Sequence, residues 1–310
     1  MRSRLLIAAA SALIALTLAG CSAGRSTPSQ ESVTIRQPAY PQFRSYQSVL
    51  VKQNVVYQRD GDRRERLNVC QPKKKTDGDR AAIVLVHGGS WRAGDKSSPE
   101  YNSVCQWLAS GGFVVFSLDY RLAPQFPFPD GLDDVKSAVR WVRSHADDYS
   151  VDPDRIGAMG GSAGGNLVSM LGTAGHGSRT TGARVAAVAE LSGPADLTST
   201  GDELPNFIPL QVAYLGCEKL SDCPAAGKAS PVYQVDVTDP PFFVGHSINE
   251  RIPLSQSEAF VKELRAHGVS TTFVTVRGSL HSIAMLGPDM KKRILAFFHE
   301  HLDPIQPSHD

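Results

Sequence analysis

The sequence predicts an α/β fold: a mainly parallel central sheet with helices on both faces. Two observations carry this. Apolar runs of strand length recur at residues 83–86, 113–118, 156–159, 185–191, 242–244 and 271–276. Such unbroken runs suit strands covered on both faces. Between them lie helical patterns, as where Leu132, Val135, Ala138, Val139 and Val142 recur at helix spacing with charges on the other face. Strands alternating with helices imply parallel pairing through crossovers.

From the N-terminus, Arg2 and Arg4 precede an apolar run over 5–18 that is short for a bilayer span. It ends in Leu18-Ala19-Gly20-Cys21, which resembles a bacterial lipobox. That resemblance implies cleavage before Cys21, lipid on its thiol, and an exported protein anchored in the cell envelope. Residues 1–21 are thus expected to be a signal peptide. Residues 22–47 open with a stretch rich in Ser, Thr, Pro and Gln and are expected to be a flexible tether. Export bears on the cysteines. Without Cys21 four remain, and an even number in an oxidising compartment favours two disulfides. Of three possible pairings, nearness in sequence favours Cys217 with Cys223, which leaves Cys70 for Cys105.

Residues 48–57 and 65–69 are expected as antiparallel strands that open the sheet. The run 81–86 follows and ends in His87-Gly88-Gly89-Ser90-Trp91. Glycines at the end of a strand let the main chain approach a substrate oxygen, which makes the N–H groups of Gly88 and Gly89 candidate oxyanion donors. His87 is expected to tie the loop together rather than to act as a base. Further on, Ser162 stands in Met159-Gly160-Gly161-Ser162-Ala163-Gly164-Gly165, directly after the run 155–158. A serine in Gly-x-Ser-x-Gly between a strand and a helix marks a nucleophile elbow. Gly160 and Gly164 leave room where backbones crowd the serine, and the N–H of Ala163 points toward a developing oxyanion.

Together these stretches resemble the α/β-hydrolase esterases, in their hormone-sensitive-lipase-like and feruloyl-esterase/kynurenine-formamidase-like branch. The resemblance spans about residues 48–303. It includes Asp119-Tyr120-Arg121-Leu122-Ala123-Pro124, Phe128-Pro129 with Asp133-Asp134-Val135, and Asp152-Pro153-Asp154-Arg155-Ile156 before the elbow. The loop reads His-Gly-Gly-Ser-Trp, not His-Gly-Gly-Gly, which leans toward the feruloyl-esterase/formamidase side. The resemblance implies a serine hydrolase acting on small, short-acyl or aryl esters without a cofactor. In this fold the order is Ser, acid, His. His281, in the loop after the run 271–276, is the expected base. The family carries aspartate four residues before a proline, a place that here falls on Asn249. The neighbouring Glu250 is the expected acid, with Asp236 and Asp239 as alternatives. Residues 194–239 are longer than a plain crossover needs and are expected to form a lid-like insertion.

Lys and Arg total 32 against 31 Asp and Glu, so nothing in the charge balance points to nucleic acid. The His and Cys residues lack close metal-ligand spacing, so no metal is implied. Two other readings stand beside the esterase: an amide or peptide hydrolase on the same site, and a catalytically silent binding protein in which Asn249 marks a lost acid.

Overall fold

A computed structural model describes residues 29–198 and 207–304. The signal segment, Cys21 and the end of the C-terminal tail (305–310) lie outside the described residues.

The chain forms a nine-stranded sheet. In chain order the strands are β1 (Gln30–Arg36), β2 (Val49–Asp60), β3 (Arg63–Pro72), β4 (Arg80–Val86), β5 (Val114–Leu118), β6 (Val151–Gly161), β7 (Ala187–Leu191), β8 (Phe242–Ser247) and β9 (Thr271–Arg277). Their spatial order is β1-β9-β8-β7-β6-β4-β5-β3-β2. β2 and β3 pair antiparallel, as does β3 with β5, and the remaining pairs are parallel. This is the α/β-hydrolase fold. Each strand expected from an apolar run forms.

The main helices are α1 (Pro99–Ser110), α2 (Asp130–Ser144), α3 (Ala163–Thr173), α4 (Ile208–Leu215), α5 (Pro224–Lys228), α6 (Leu254–Ala266) and α7 (Pro288–Leu302). Their apolar stripes build two cores, one per sheet face. Residues of α2, α3 and α6 join one, with Leu132, Val135, Val139, Leu167, Phe260 and Leu264 buried there. α1 and α7 supply the other, including Leu108, Ile294 and Phe298. Local chemistry starts α1: Ser98 Oγ accepts the Tyr101 N–H at 3.3 Å and Pro99 stands in the first turn. The disulfides Cys70–Cys105 and Cys217–Cys223 form with Cα separations of 6.0 and 5.7 Å. The first ties β3 to α1.

One expectation needs correction. The flexible tether read over 22–47 does not hold from residue 30 onward. Residues 30–36 form β1, an edge strand parallel to β9, with Val33 and Ile35 packed on a core. Residues 37–48 then cross the α1/α7 face as a strap. Arg44 N–H donates to Ser103 Oγ at 3.0 Å and Tyr46 N–H to Gln106 Oε1 at 2.8 Å, both acceptors on α1.

About half of the expected insertion is helical where it is described. It carries α4, α5 and short 3₁₀ turns. Its Tyr214 ring stacks on Trp91 at 4.2 Å and its Cys217–Cys223 bridge closes the turn after α4.

The topology fixes where a site belongs. From β4 the chain goes to β5 on one side, then crosses back to β6 on the other. At such a switch, the carboxyl ends of the strands border the crevice in which open α/β sheets bind their ligands, and the loops leaving β4 and β6 lie there.

Candidate active site

Ser162 follows the last residue of β6 and precedes α3, with φ 58° and ψ −125°. Left-handed backbone is costly for a residue with a Cβ. It is held here by hydrogen bonds on both sides: Ser162 N–H donates to Leu191 O at 2.8 Å, and Asn166 N–H to Ser162 O at 3.0 Å. A Cβ on Gly160 would strike the Gly164 carbonyl, and one on Gly164 would strike the carbonyls of Val86 and His87. The glycines flanking the elbow therefore have the steric role expected of them. Ser90, Trp91, Ser192 and Ser282 also have positive φ, so five of the seven such non-glycine residues among those described surround this crevice.

The loop after β4 lies directly against the elbow. A Cβ on Gly88 would sit 2.8 Å from Gly161 O and 3.2 Å from Ser162 Cβ. Gly88 is needed for that approach, yet its expected role as a donor to the oxyanion is corrected. Its N–H donates to the Tyr101 hydroxyl at 2.8 Å. Among the described residues the N–H groups of Gly89, Ser90 and Ala163 have no protein acceptor. Ala163 N–H belongs to the open first turn of α3, where the helix has no acceptor for it.

Neighbouring motifs hold this loop. His87 is buried, stacks on Tyr120 at 4.4 Å and sits with Nδ1 2.9 Å from Gly88 O. Burial pushes its pKa down. Tyr120 donates to His87 O at 3.0 Å. Arg121 reaches both oxygens of the fully buried Asp134, at 2.8 and 3.0 Å. The Asp119-Tyr120-Arg121 stretch thus acts through the loop, as scaffold.

His281 follows β9 and lies at the mouth, its side chain 14% exposed. Its Nδ1 contacts Glu250 Oε2, and its Nε2 is buried without a protein partner among the described residues. The loop carrying it packs onto the elbow: a Cβ on Gly161 would collide with Ser282 Oγ and lie 3.5 Å from Ile283 Cγ2. The loop that carries His281 therefore packs on the elbow that carries Ser162, and His281 in turn contacts Glu250. Asp236 and Asp239 are elsewhere, before β8, where Asp236 faces His176 at 2.5 Å and Asp239 faces Arg184 at 3.6 Å. Asn249 N–H donates to Gly278 O at 2.9 Å, which bonds the acid-bearing turn to the histidine loop.

Three residues here were not singled out from sequence. His246, fully buried at the end of β8, has Nε2 2.9 Å from Glu250 Oε1 and also 2.9 Å from Ile252 O. Its Nδ1 is 2.7 Å from Ser257 Oγ. Glu250 thus lies between two imidazoles. Burial raises the pKa of Glu250, but the bonds to His246 and His281 outweigh it and hold the carboxyl below its ordinary range. Burial lowers the pKa of His246, and Glu250 outweighs that and raises it. Glu190 on β7 is buried, and desolvation pushes its pKa up to about 8 against the opposing Gly193 N–H. Tyr101 accepts from Gly88 N–H and has Ser282 as a neighbour, so it stands between the loops after β4 and β9. A lone His or Glu within a strand, or a Tyr in a helix, gives no local signal of such a role.

A serine on a strained strand-helix turn, open backbone N–H groups next to it, and an imidazole held by a carboxylate on the adjoining loop are the parts that a serine hydrolase of this fold uses. The BD-FAE family model matches residues 67–264, more than half of the chain, and the chain belongs to that family. It is 30% identical over 226 residues to LipM of Mycobacterium tuberculosis, named a probable carboxylic ester hydrolase, covering 67% of this chain and 52% of that protein. Esterase LipQ of the same organism is 29% identical over 245 residues, covering 76% and 58%. The chain therefore spans about half the length of the curated relatives it matches. Among solved structures, a truncated carbohydrate esterase from gut microbiota matches with a TM-score of 0.72 at 24% identity, covering 87% of this chain and all of that one. An acetyl ester-xyloside bifunctional hydrolase from Caldicellulosiruptor lactoaceticus matches with a TM-score of 0.63 at 25% identity, covering 76% and 88%.

Proposed function

We propose that this protein hydrolyses small carboxylic esters through an acyl-enzyme on Ser162. The observation that carries the reading is the shared crevice: Ser162 at φ 58°, Gly88 against its Cβ, and His281 in contact with the buried Glu250. The esterase names of family relatives point the same way.

Each residue has a step. Ser162 Oγ attacks the ester carbonyl while His281 Nε2 takes its proton. Glu250 holds His281 Nδ1–H, fixing the tautomer and stabilising the imidazolium. The N–H groups of Ala163, Gly89 and Ser90 face the oxyanion, where preorganised donors act most strongly. His281 returns the proton to the departing alcohol. Water, deprotonated by His281, attacks the acyl carbon, and Ser162 leaves with that proton. The acid product is released.

An amide demands more of His281, because an amine leaves only when protonated. Turnover of matched p-nitrophenyl esters and p-nitroanilides tests the reading: ester turnover should exceed anilide turnover by orders of magnitude. Equal turnover would make this an amidase, and no turnover with an unlabelled serine would make it a silent binding protein.

The sequence at Cys21 supports a further part of the proposal: lipid on Cys21 holds the enzyme to a membrane of the bacterial envelope, and the soluble part acts on esters outside the cytoplasm. Cys21→Ser should leave the protein unprocessed or release it from membranes. A mature Cys21→Ser protein that sediments with membranes like its parent would refute the anchor.

A further inference from the structure

The loop that carries His281 is bonded on its inner side by its neighbours at the site. Asn249 N–H donates to Gly278 O at 2.9 Å, Ser247 Oγ to Leu280 O at 2.6 Å, and Ser282 N–H to Ser192 Oγ at 3.1 Å. Its outer side meets the N-terminal strap. β1 runs beside β9 in a register that ends with Arg36 opposite Arg277. The next residue on each strand's exit is therefore Gln37 beside Gly278. Gln37 Oε1 accepts the Ser279 N–H at 2.7 Å, two residues before His281. The Gln37 carboxamide also lies over the open face of Gly278, whose φ is +143° and where a Cβ would collide with it. At the next residue, Pro38 packs where a Cβ on Gly287 would stand.

We propose that Gln37 is a positioning residue for the base: by accepting the Ser279 N–H, it sets the height of the His281 loop over Ser162. The proposal rests on the serine-hydrolase reading and extends it to a segment outside residues 67–264, the family's matched range. The physical reason is directional. The inner bonds pull the loop toward β8 and β7, and the Gln37 bond is the counterweight from β1. Without it, Gly278 and Ser279 are free to relax toward the crevice, because Gly278 has no side chain to resist rotation. His281 Nδ1 stays with Glu250, but Nε2 shifts relative to the serine hydroxyl. Proton transfer is sensitive to such shifts, so kcat carries the effect and KM does not. The strap has a second attachment on α1, through Arg44 and Tyr46. Removal of one surface acceptor therefore leaves the strap docked.

Gln37→Leu removes the acceptor at similar bulk, and Gln37→Glu retains an oxygen. Expected for Gln37→Leu is a fall in kcat of ~10-fold at unchanged KM. The melting temperature should stay within about 2 °C of the parent, in line with an exposed single bond. Gln37→Glu should keep kcat within about threefold of the parent, since the acceptor survives. Amide hydrogen exchange of the peptide spanning 277–285, measured in the full chain, should speed up in Gln37→Leu and not in Gln37→Glu. This readout does not depend on turnover. Faster exchange in a protein that cleaves no ester would uphold the clamp and refute the esterase reading. Unchanged exchange overturns the clamp whatever the turnover. Unchanged kcat in Gln37→Leu overturns it as well, as does an equal loss in both variants.

Discussion

Replacing Glu250 by Gln keeps the side chain's shape and removes its charge, and the structure sets the size of the effect. The Glu250 side chain has no exposed surface, with His281 Nδ1 on one oxygen and His246 Nε2 2.9 Å from the other. In the proposed mechanism, acylation turns His281 into an imidazolium beside that carboxylate. At ~4 Å, with an effective dielectric of ~20, the attraction is about 4 kcal/mol, or roughly 10³-fold in rate. Gln brings a second loss. Its NH₂ must face one imidazole, while His246 Nε2 already lies 2.9 Å from Ile252 O. If the NH₂ turns to His281, the wrong tautomer is favoured. The expected fall in kcat is therefore about 10²- to 10⁴-fold, with KM little changed. Steady-state hydrolysis of p-nitrophenyl acetate measures it, with Asp236→Asn and Asp239→Asn in parallel. Those two should stay near the parent, because Asp236 and Asp239 face His176 and Arg184. A Glu250→Gln enzyme within threefold of the parent would refute the assignment. Collapse of either aspartate variant would move the acid to the far end of β8.

Other perturbations test the frame around the site. Glu190 has its pKa raised by burial to about 8 from 4.5. The folded state therefore holds its proton where the unfolded chain has released it, and stability declines as pH rises from 4.5 through about 8. Glu190→Gln removes that decline, so its advantage in melting temperature over the parent should widen between pH 5 and pH 8; a constant gap would contradict the burial argument. Gln211 on α4 is fully buried with neither carboxamide atom partnered among the described residues. Gln211→Leu should stabilise by about 1–3 kcal/mol in denaturant titration, and a loss would reveal a bond to that amide. The Cys70–Cys105 bridge spans 35 residues and Cys217–Cys223 only 6. Loop-closure entropy then gives losses of about 4 and about 2 kcal/mol on paired replacement by Ala, and the reverse ranking in thermal melts would contradict it.

The core strands were legible because burial on both faces demands unbroken apolar runs, as at 83–86 and 156–159, which became β4 and β6. β1 was not. It is an exposed edge strand, Gln30–Arg36, whose Val33 and Ile35 alternate with polar residues inside a stretch whose composition suits a tether. Ser162 and His281 were readable because a turn motif and chain order mark them. Glu250 was readable only as the carboxylate nearest a place held by Asn249; it stands three positions before Pro253, where the pattern has four. Of the candidate donors, the sequence could not show which N–H groups stay open. Glycines announce close backbone approach, but that Tyr101 captures the Gly88 N–H depends on how α1 packs, which no local pattern encodes. His246 and Glu190 were hidden for the same reason: their weight comes from neighbours on adjacent strands.

The central claim is that Ser162 is the nucleophile of an esterase, and covalent labelling tests it most directly. The purified protein would be treated with a fluorophosphonate, digested and sequenced by mass spectrometry, beside Ser162→Ala. The predicted result is one phosphonyl group per chain on Ser162, with ester turnover lost in step. Ser162→Ala should remain folded, unlabelled, and slower by about 10⁴-fold or more. A label on any other residue, or a folded Ser162→Ala protein that hydrolyses esters at the parental rate, would contradict it.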